Sequence, residues 1–130
     1  IAHSNQKNTR RVAVSYKAMP RAVFTRPQVA AVGVTEAEAK KAYQTTSQIT
    51  YFYETPTGEA MQEKEGFVKV VANSENGQIL GCHIAGPQAP VLIQEVVNSM
   101  AADGTASSIH QGIHIHPALS EVITTAFSGF

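Results

Sequence analysis

The stretch GFVKVVANSENGQILGCHIAG, residues 66–86, leaves this chain few ways to fold. Two runs rich in apolar and β-branched residues, 66–72 and 78–86, flank a short polar loop that contains Asn76-Gly77. Asn and Gly both tolerate the positive φ that tight connections between antiparallel strands demand. The spacing predicts a hairpin, and Gly86-Pro87 ends its second strand because proline has no amide to give to a ladder.

The elements around the hairpin follow from the same kind of signal. AVFTRPQVAAVGV, 22–34, holds two apolar runs interrupted at Arg26-Pro27, which predicts a broken or edge strand. Thr35, Glu36, Ala37 and Glu38 form a capping box that should start a helix running to about Tyr43. SQITYFYE, 47–54, reads as a strand with Ile49, Tyr51 and Tyr53 on one face, and TPTGEAMQEKEG, 55–66, as a polar, turn-prone link. From Ala89 to Ala102 the period becomes helical, with Leu92, Val96 and Met100 spaced by four and Ile93 and Val97 beside them, until Asp103-Gly104 stops it. A last helix should begin at Pro117, which suits a first helical position. Its apolar stripe is Leu119, Val122, Ile123, Ala126 and Phe127. Residues 1–20 lack periodicity and read as a linker. The order strand, helix, strand, strand, strand, helix, helix contains no βαβ series. The expected fold class is α+β, an antiparallel β-sheet with helices packed on one face.

Composition excludes several function classes. No apolar run approaches the roughly 20 residues of a membrane-spanning helix. The one cysteine, Cys82, lies in a strand-like run and reads as a small core residue, in keeping with a reduced, cytoplasmic setting. Net charge is zero, although Lys7, Arg10, Arg11, Lys17, Arg21 and Arg26 precede the first acid, Glu36. No aromatic interleaving or nucleic-acid motif accompanies that basic flank, so it reads as a solvated or domain-facing surface, with no nucleic-acid partner and no membrane partner. GxGxxG and P-loop motifs are absent, and Ser120 lacks the glycine flanks of a nucleophile elbow.

GIHIHPALSEV, 112–122, is where chemistry concentrates. Imidazole titrates near neutrality, and a carboxylate can fix its tautomer and support its charged form. His116 and Glu121 are a candidate acid/base pair, although residues five apart do not face each other on a helix. His116 is expected at a helix N-terminus, where histidine is not a favoured cap. The competing reading is metal binding by His114 and His116 with His110 or His83 as a third ligand, or a structural role for these histidines.

Three blocks, AVFTRPQVAAVGVTEAEAK, GFVKVVANSENGQILGCHIAGPQA and HIHPALSEV, in this order and spacing, resemble the C-terminal dimerisation domain of the pyridine nucleotide–disulfide oxidoreductases over about residues 20–128. The resemblance implies that 21–130 is this interface domain of the FAD/NAD-linked reductases. It makes 1–20 the trailing edge of an FAD domain, whose polar start IAHSNQKNTRR reads like the interior of a longer chain. It implies a homodimer in which His116, partnered by Glu121, is the acid/base delivered to the other subunit's active site, with His116 and Pro117 near that subunit's flavin and no metal ligand. His114 precedes the motif and is not the base. FAD, NAD(P) and a disulfide substrate belong to the intact parent, together with its FAD and NAD(P) domains and redox cysteines, which are absent here. The chain alone is expected to bind no cofactor and to be inactive. HIHP leans toward dihydrolipoamide dehydrogenase, while GPQAPVLIQEVV and IHPALSEV also resemble mycothione-reductase-type enzymes. A mercuric-reductase-like enzyme is a further alternative, although the chain ends AFSGF without the terminal cysteine pair of many mercuric reductases. A free-standing dimerisation module without chemistry is the alternative from another class.

Overall fold

The predicted hairpin forms the interior of the sheet. In the computed structural model, which describes residue 13 and residues 15–130, β4 (Phe67–Asn73) pairs antiparallel with β5 (Ile79–Ala85). Gly77 takes φ +71, and its amide donates to the Asn73 carbonyl at 2.8 Å. The side chains of Asn73 and Asn76 accept from the amides of Glu75 and Gln78, so the loop satisfies its own backbone. The expected linker over 1–20 falls mostly outside the described residues.

Three further strands extend the pair. β2 (Val29–Gly33) joins the free edge of β5, β1 (Arg21–Val23) joins β2, and β3 (Thr45–Tyr51) joins β4. The order is β1-β2-β5-β4-β3, antiparallel throughout. The break at Arg26-Pro27, a cis peptide bond, is the turn between two paired strands. Of these two strands only β1 is an edge, and β2 lies inside the sheet.

One face of the sheet carries the main core. Ala30 and Val32 of β2, Val68 and Val70 of β4, and Cys82 and Ile84 of β5 alternate toward it. α3 (Ala89–Ala101) lies over β2 and β5 and buries Leu92, Ile93, Val96 and Met100. α5 (Glu121–Phe127) lies over β3 and β4 and buries Val122, Ile123, Ala126 and Phe127, with α4 (Ala106–His110) packed beside it. Burial pushes the Cys82 thiol up to about 12, so it is a neutral, inert core group, as its surroundings suggested.

α1 (Glu36–Ala39) sits on the opposite face, where Ala39 packs with Val71 and Leu80. The expected capping box is present: the Thr35 amide donates to Glu38 Oε2 at 2.8 Å and the Glu38 amide donates to Thr35 Oγ1 at 3.3 Å. The helix nevertheless stops at Ala39, not near Tyr43. A cap sets where a helix starts, but packing sets how far it runs, and Ala39 is its only buried residue.

The polar link 55–66 holds structure that its composition hid. A 3₁₀ turn, Phe52–Glu54, leads into α2 (Pro56–Ala60), whose cap Thr55 accepts from the Gly58 amide. Ile49 and Tyr51 share an exposed face as expected, and Tyr51 stacks on Tyr53 with ring centroids 5.4 Å apart. Tyr53 reaches that stack from the 3₁₀ turn, not from the strand. Phe52 turns inward and is fully buried. Two glycines leave room for its ring, and a third leaves room for its backbone. A Cβ on Gly66 or Gly86 would stand 2.7 or 2.6 Å from the Phe52 ring, and one on Gly58 would stand 1.8 Å from the Phe52 carbonyl oxygen.

Two predictions follow from this packing. Phe52→Ala should cost about 3–5 kcal/mol in a denaturant titration, and Phe52→Leu distinctly less; equal, small effects would contradict the glycine-lined pocket. The second concerns Glu36, whose carboxyl is held down from 4.5 to about 2 by hydrogen bonds from Lys40 and Lys69 and then from Ser47. A depressed carboxyl stabilises the fold above its ordinary value, and that support is lost as pH falls from about 4.5 toward 2. Acid unfolding of Glu36→Gln and the parent should therefore differ above this window and converge at its lower end. A gap that widens toward pH 2 would refute the assignment.

Candidate active site

The segment between α4 and α5 carries both histidines of interest. α5 begins at Glu121, not at Pro117, so the expected placement of His116 at a helix N-terminus is corrected. The apolar stripe was read properly from Val122 onward. Leu119 also packs against the core, but from a tight turn in which the Glu121 and Val122 amides bond back to the Ala118 and Leu119 carbonyls. The His116–Pro117 peptide bond is cis, and His116 stands on bent, non-helical backbone. That removes the objection to a pair spaced by five, because the two side chains are not bound by helical geometry.

The pair is formed. His116 Nδ1 lies 2.7 Å from Glu121 Oε1. Glu121 Oε2 accepts from the Ala118 amide at 3.0 Å, so both carboxylate oxygens are engaged. The next two residues, Val122 and Ile123, are fully buried, which fixes the end of the helix from which Glu121 projects. The Glu121 side chain is 16% exposed and that of His116 68%. The hydrogen bond from His116, followed by that from the Ala118 amide, holds the Glu121 carboxyl below the usual carboxylate range. Glu121 is thus an anion at neutral pH. An anionic carboxylate only accepts, so Nδ1 carries the proton of this bond, and Nε2 is left as the nitrogen that can exchange one with a substrate.

His114 is built differently. Its side chain is 11% exposed, with Nε2 2.9 Å from Glu95 Oε1 of α3 and Nδ1 2.9 Å from the Gly112 carbonyl oxygen. His83 lies on β5, on the face away from α3 and α5, with Nε2 3.1 Å from the Val34 carbonyl oxygen. The histidines that a metal site would need are therefore not brought together, and no group of three or more His, Cys, Asp or Glu side chains suited to a metal occurs among the described residues. The open depression lined by Phe24, Arg26, Pro27, Glu63 and Gln88 contains none of the candidate residues.

Sequence reasoning missed Glu95. The signal was faint but present: Glu95 is the one charged residue in the thirteen of α3. A lone carboxylate on an otherwise uncharged amphipathic helix needs a partner or water, and here it has His114.

What the site offers is an exposed imidazole with an oriented tautomer. A family model described as the pyridine nucleotide-disulphide oxidoreductase dimerisation domain matches residues 19–127. The chain is 39% identical over 117 residues to a dihydrolipoyl dehydrogenase of Corynebacterium glutamicum, covering 88% of this chain and 25% of that protein. It is 38% identical over 120 residues to a mycothione reductase of Mycobacterium tuberculosis, covering 91% and 26%. It thus spans about a quarter of the length of these relatives. Among solved structures, LpdA of Mycobacterium tuberculosis superposes with a TM-score of 0.82 at 24% identity, covering 89% of this chain and 26% of that one, which is a likeness of fold. The flavoprotein disulfide reductase RclA of Escherichia coli superposes with a TM-score of 0.81 at 25% identity, covering 86% and 26%. The family match, these relatives and the five-stranded antiparallel sheet agree: the chain belongs to the pyridine nucleotide-disulphide oxidoreductase family, as its dimerisation domain.

Proposed function

We propose that this domain serves an FAD-dependent NAD(P)H disulfide oxidoreductase of the dihydrolipoamide dehydrogenase type, and that it supplies His116 and Glu121 to the active site of the partner subunit in a homodimer. The observation that carries the reading is the 2.7 Å His116–Glu121 couple, exposed on a loop of a domain whose family is defined by dimerisation. An acid/base group that projects from its own chain fits a role on a surface the chain does not itself contain. A mycothione-reductase-type parent is the second reading, favoured by an identity that trails the dihydrolipoyl dehydrogenase by only one point. Upstream coding sequence with GxGxxG and a CxxxxC pair would support a reductase parent, and its absence would favour a module without chemistry.

The chemistry asks little of this chain beyond one proton at one atom. The flavin and NAD(P)H held by other domains supply the electron pair for disulfide reduction. Cleaving a disulfide with two electrons leaves thiolate that must be protonated, and the reverse direction must deprotonate a thiol. His116 does either through Nε2, while Nδ1 stays bonded to Glu121. Glu121 orients the ring and stabilises the imidazolium between the two proton transfers, and its depressed titration keeps it anionic throughout. Pro117 follows directly and shapes the exposed turn that presents the ring.

Positioned acid–base catalysis is worth roughly 10²–10⁴-fold. His116→Gln in the parent enzyme should lower disulfide turnover by about that factor while stopped-flow reduction of the flavin by NAD(P)H stays largely intact. Glu121→Gln should cost less, since the proton carrier remains, and His114→Gln least of the three. A crippled His114→Gln enzyme beside a nearly normal His116→Gln enzyme would reverse the assignment.

A further inference from the structure

The His114–Glu95 contact has no part in the proton chemistry above, yet it ties the exposed segment to α3. Of residues 113–117, only His114 is partly buried; Ile113 and Ile115 are 103% and 77% exposed. Among the described residues, none of 113–117 makes a backbone–backbone hydrogen bond. The segment is tied at one end by the Gly112 amide, which donates to the Ile109 carbonyl at 3.0 Å. The Ala118 amide ties the other end to Glu121. Between these ties, the His114 ring bridges to α3, a contact made across nineteen positions of sequence.

We propose that Glu95 and His114 are positioning residues for His116: a clamp from α3 that fixes where the 113–117 segment presents the His116–Glu121 couple. Both ring nitrogens of His114 face an acceptor, the Gly112 carbonyl on one side and the Glu95 carboxylate on the other. An N–H donated from Nε2 to the Glu95 carboxylate, 2.9 Å away, makes a charge-assisted bond. Such bonds are shorter and roughly twice as strong as neutral ones, which suits them to hold a segment without backbone ties. Glu95 itself is held by α3, whose Leu92, Ile93 and Val96 are buried. The position of His116 is thereby referred to α3 through His114 and to α5 through Glu121. For a proton carrier this matters because a misplacement of about 1 Å can cost on the order of 100-fold in rate.

The role rests on the acid/base reading of His116, and two measurements separate them. The first is ¹⁵N NMR of this 130-residue chain. Glu95→Ala and His114→Ala should lower the order parameters of 113–117 and shift the ring signals of His116, with the sheet amides unmoved. Glu95→Gln, which keeps an acceptor oxygen in place, should restore most of that order. Unchanged His116 signals and segment order in Glu95→Ala would overturn the clamp, and so would changes that spread through the sheet, since those report general destabilisation. The second is turnover in the parent enzyme. Glu95→Ala should lower kcat for the disulfide about 10-fold, with flavin reduction and KM for NAD(P)H unaltered. A kcat equal to that of the parent overturns the positioning role. If His116→Gln leaves turnover intact, the acid/base reading fails, whatever the NMR says of the clamp.

Discussion

Burial of Val122, Ile123, Ala126 and Phe127 against the sheet is the constraint on which the site depends. These residues fix α5, α5 fixes Glu121, and Glu121 fixes the ring of His116 through a 2.7 Å hydrogen bond. Apolar burial is non-directional, but here it acts through a helix only seven residues long, so the position of its first residue is well determined. A directional polar contact is thus built on a non-directional one. The same logic operates on α3, whose buried stripe holds Glu95 at the height of His114. Two helices on one sheet face therefore converge on one exposed segment.

This division explains how a flexible-looking stretch can carry a defined geometry. Ile113, Ile115 and His116 are all exposed, and backbone ties are missing between Gly112 and Ala118 among the described residues. Order comes from two carboxylates that lie outside the segment. In a family of dimerisation domains, such an arrangement leaves apolar side chains and a proton carrier facing outward together. The exposed isoleucines are then available to a partner surface while the imidazole keeps its tautomer.

The parts of the fold that sequence makes legible are those with local signals. Asn76-Gly77, the Thr35–Glu38 capping box and the four-residue spacing of α3 each state their structure within one element. α2 and α4 escape, because five residues are too few to show a period. The start of the last helix is misread for a related reason: Pro117 suits a first helical position, and nothing local tells a helical turn from the tighter turn that occurs. The burial of Phe52 depends on glycines at three separate places, and the Glu95–His114 contact on residues nineteen apart, so neither has a local signature. Spacing alone left the His116–Glu121 pair undecided. Resemblance singled it out, and the geometry joins the two side chains.

The central claim is that the couple works in a partner's active site, and subunit complementation addresses it most directly. A parent enzyme lacking its redox cysteines and one carrying His116→Gln are each expected to be inactive toward the disulfide. Dissociated and reassociated together, they should form hybrid dimers in which one site combines intact cysteines with an intact His116 from the other subunit, and disulfide turnover should return. Purified hybrids with no more disulfide turnover than either homodimer would contradict the account.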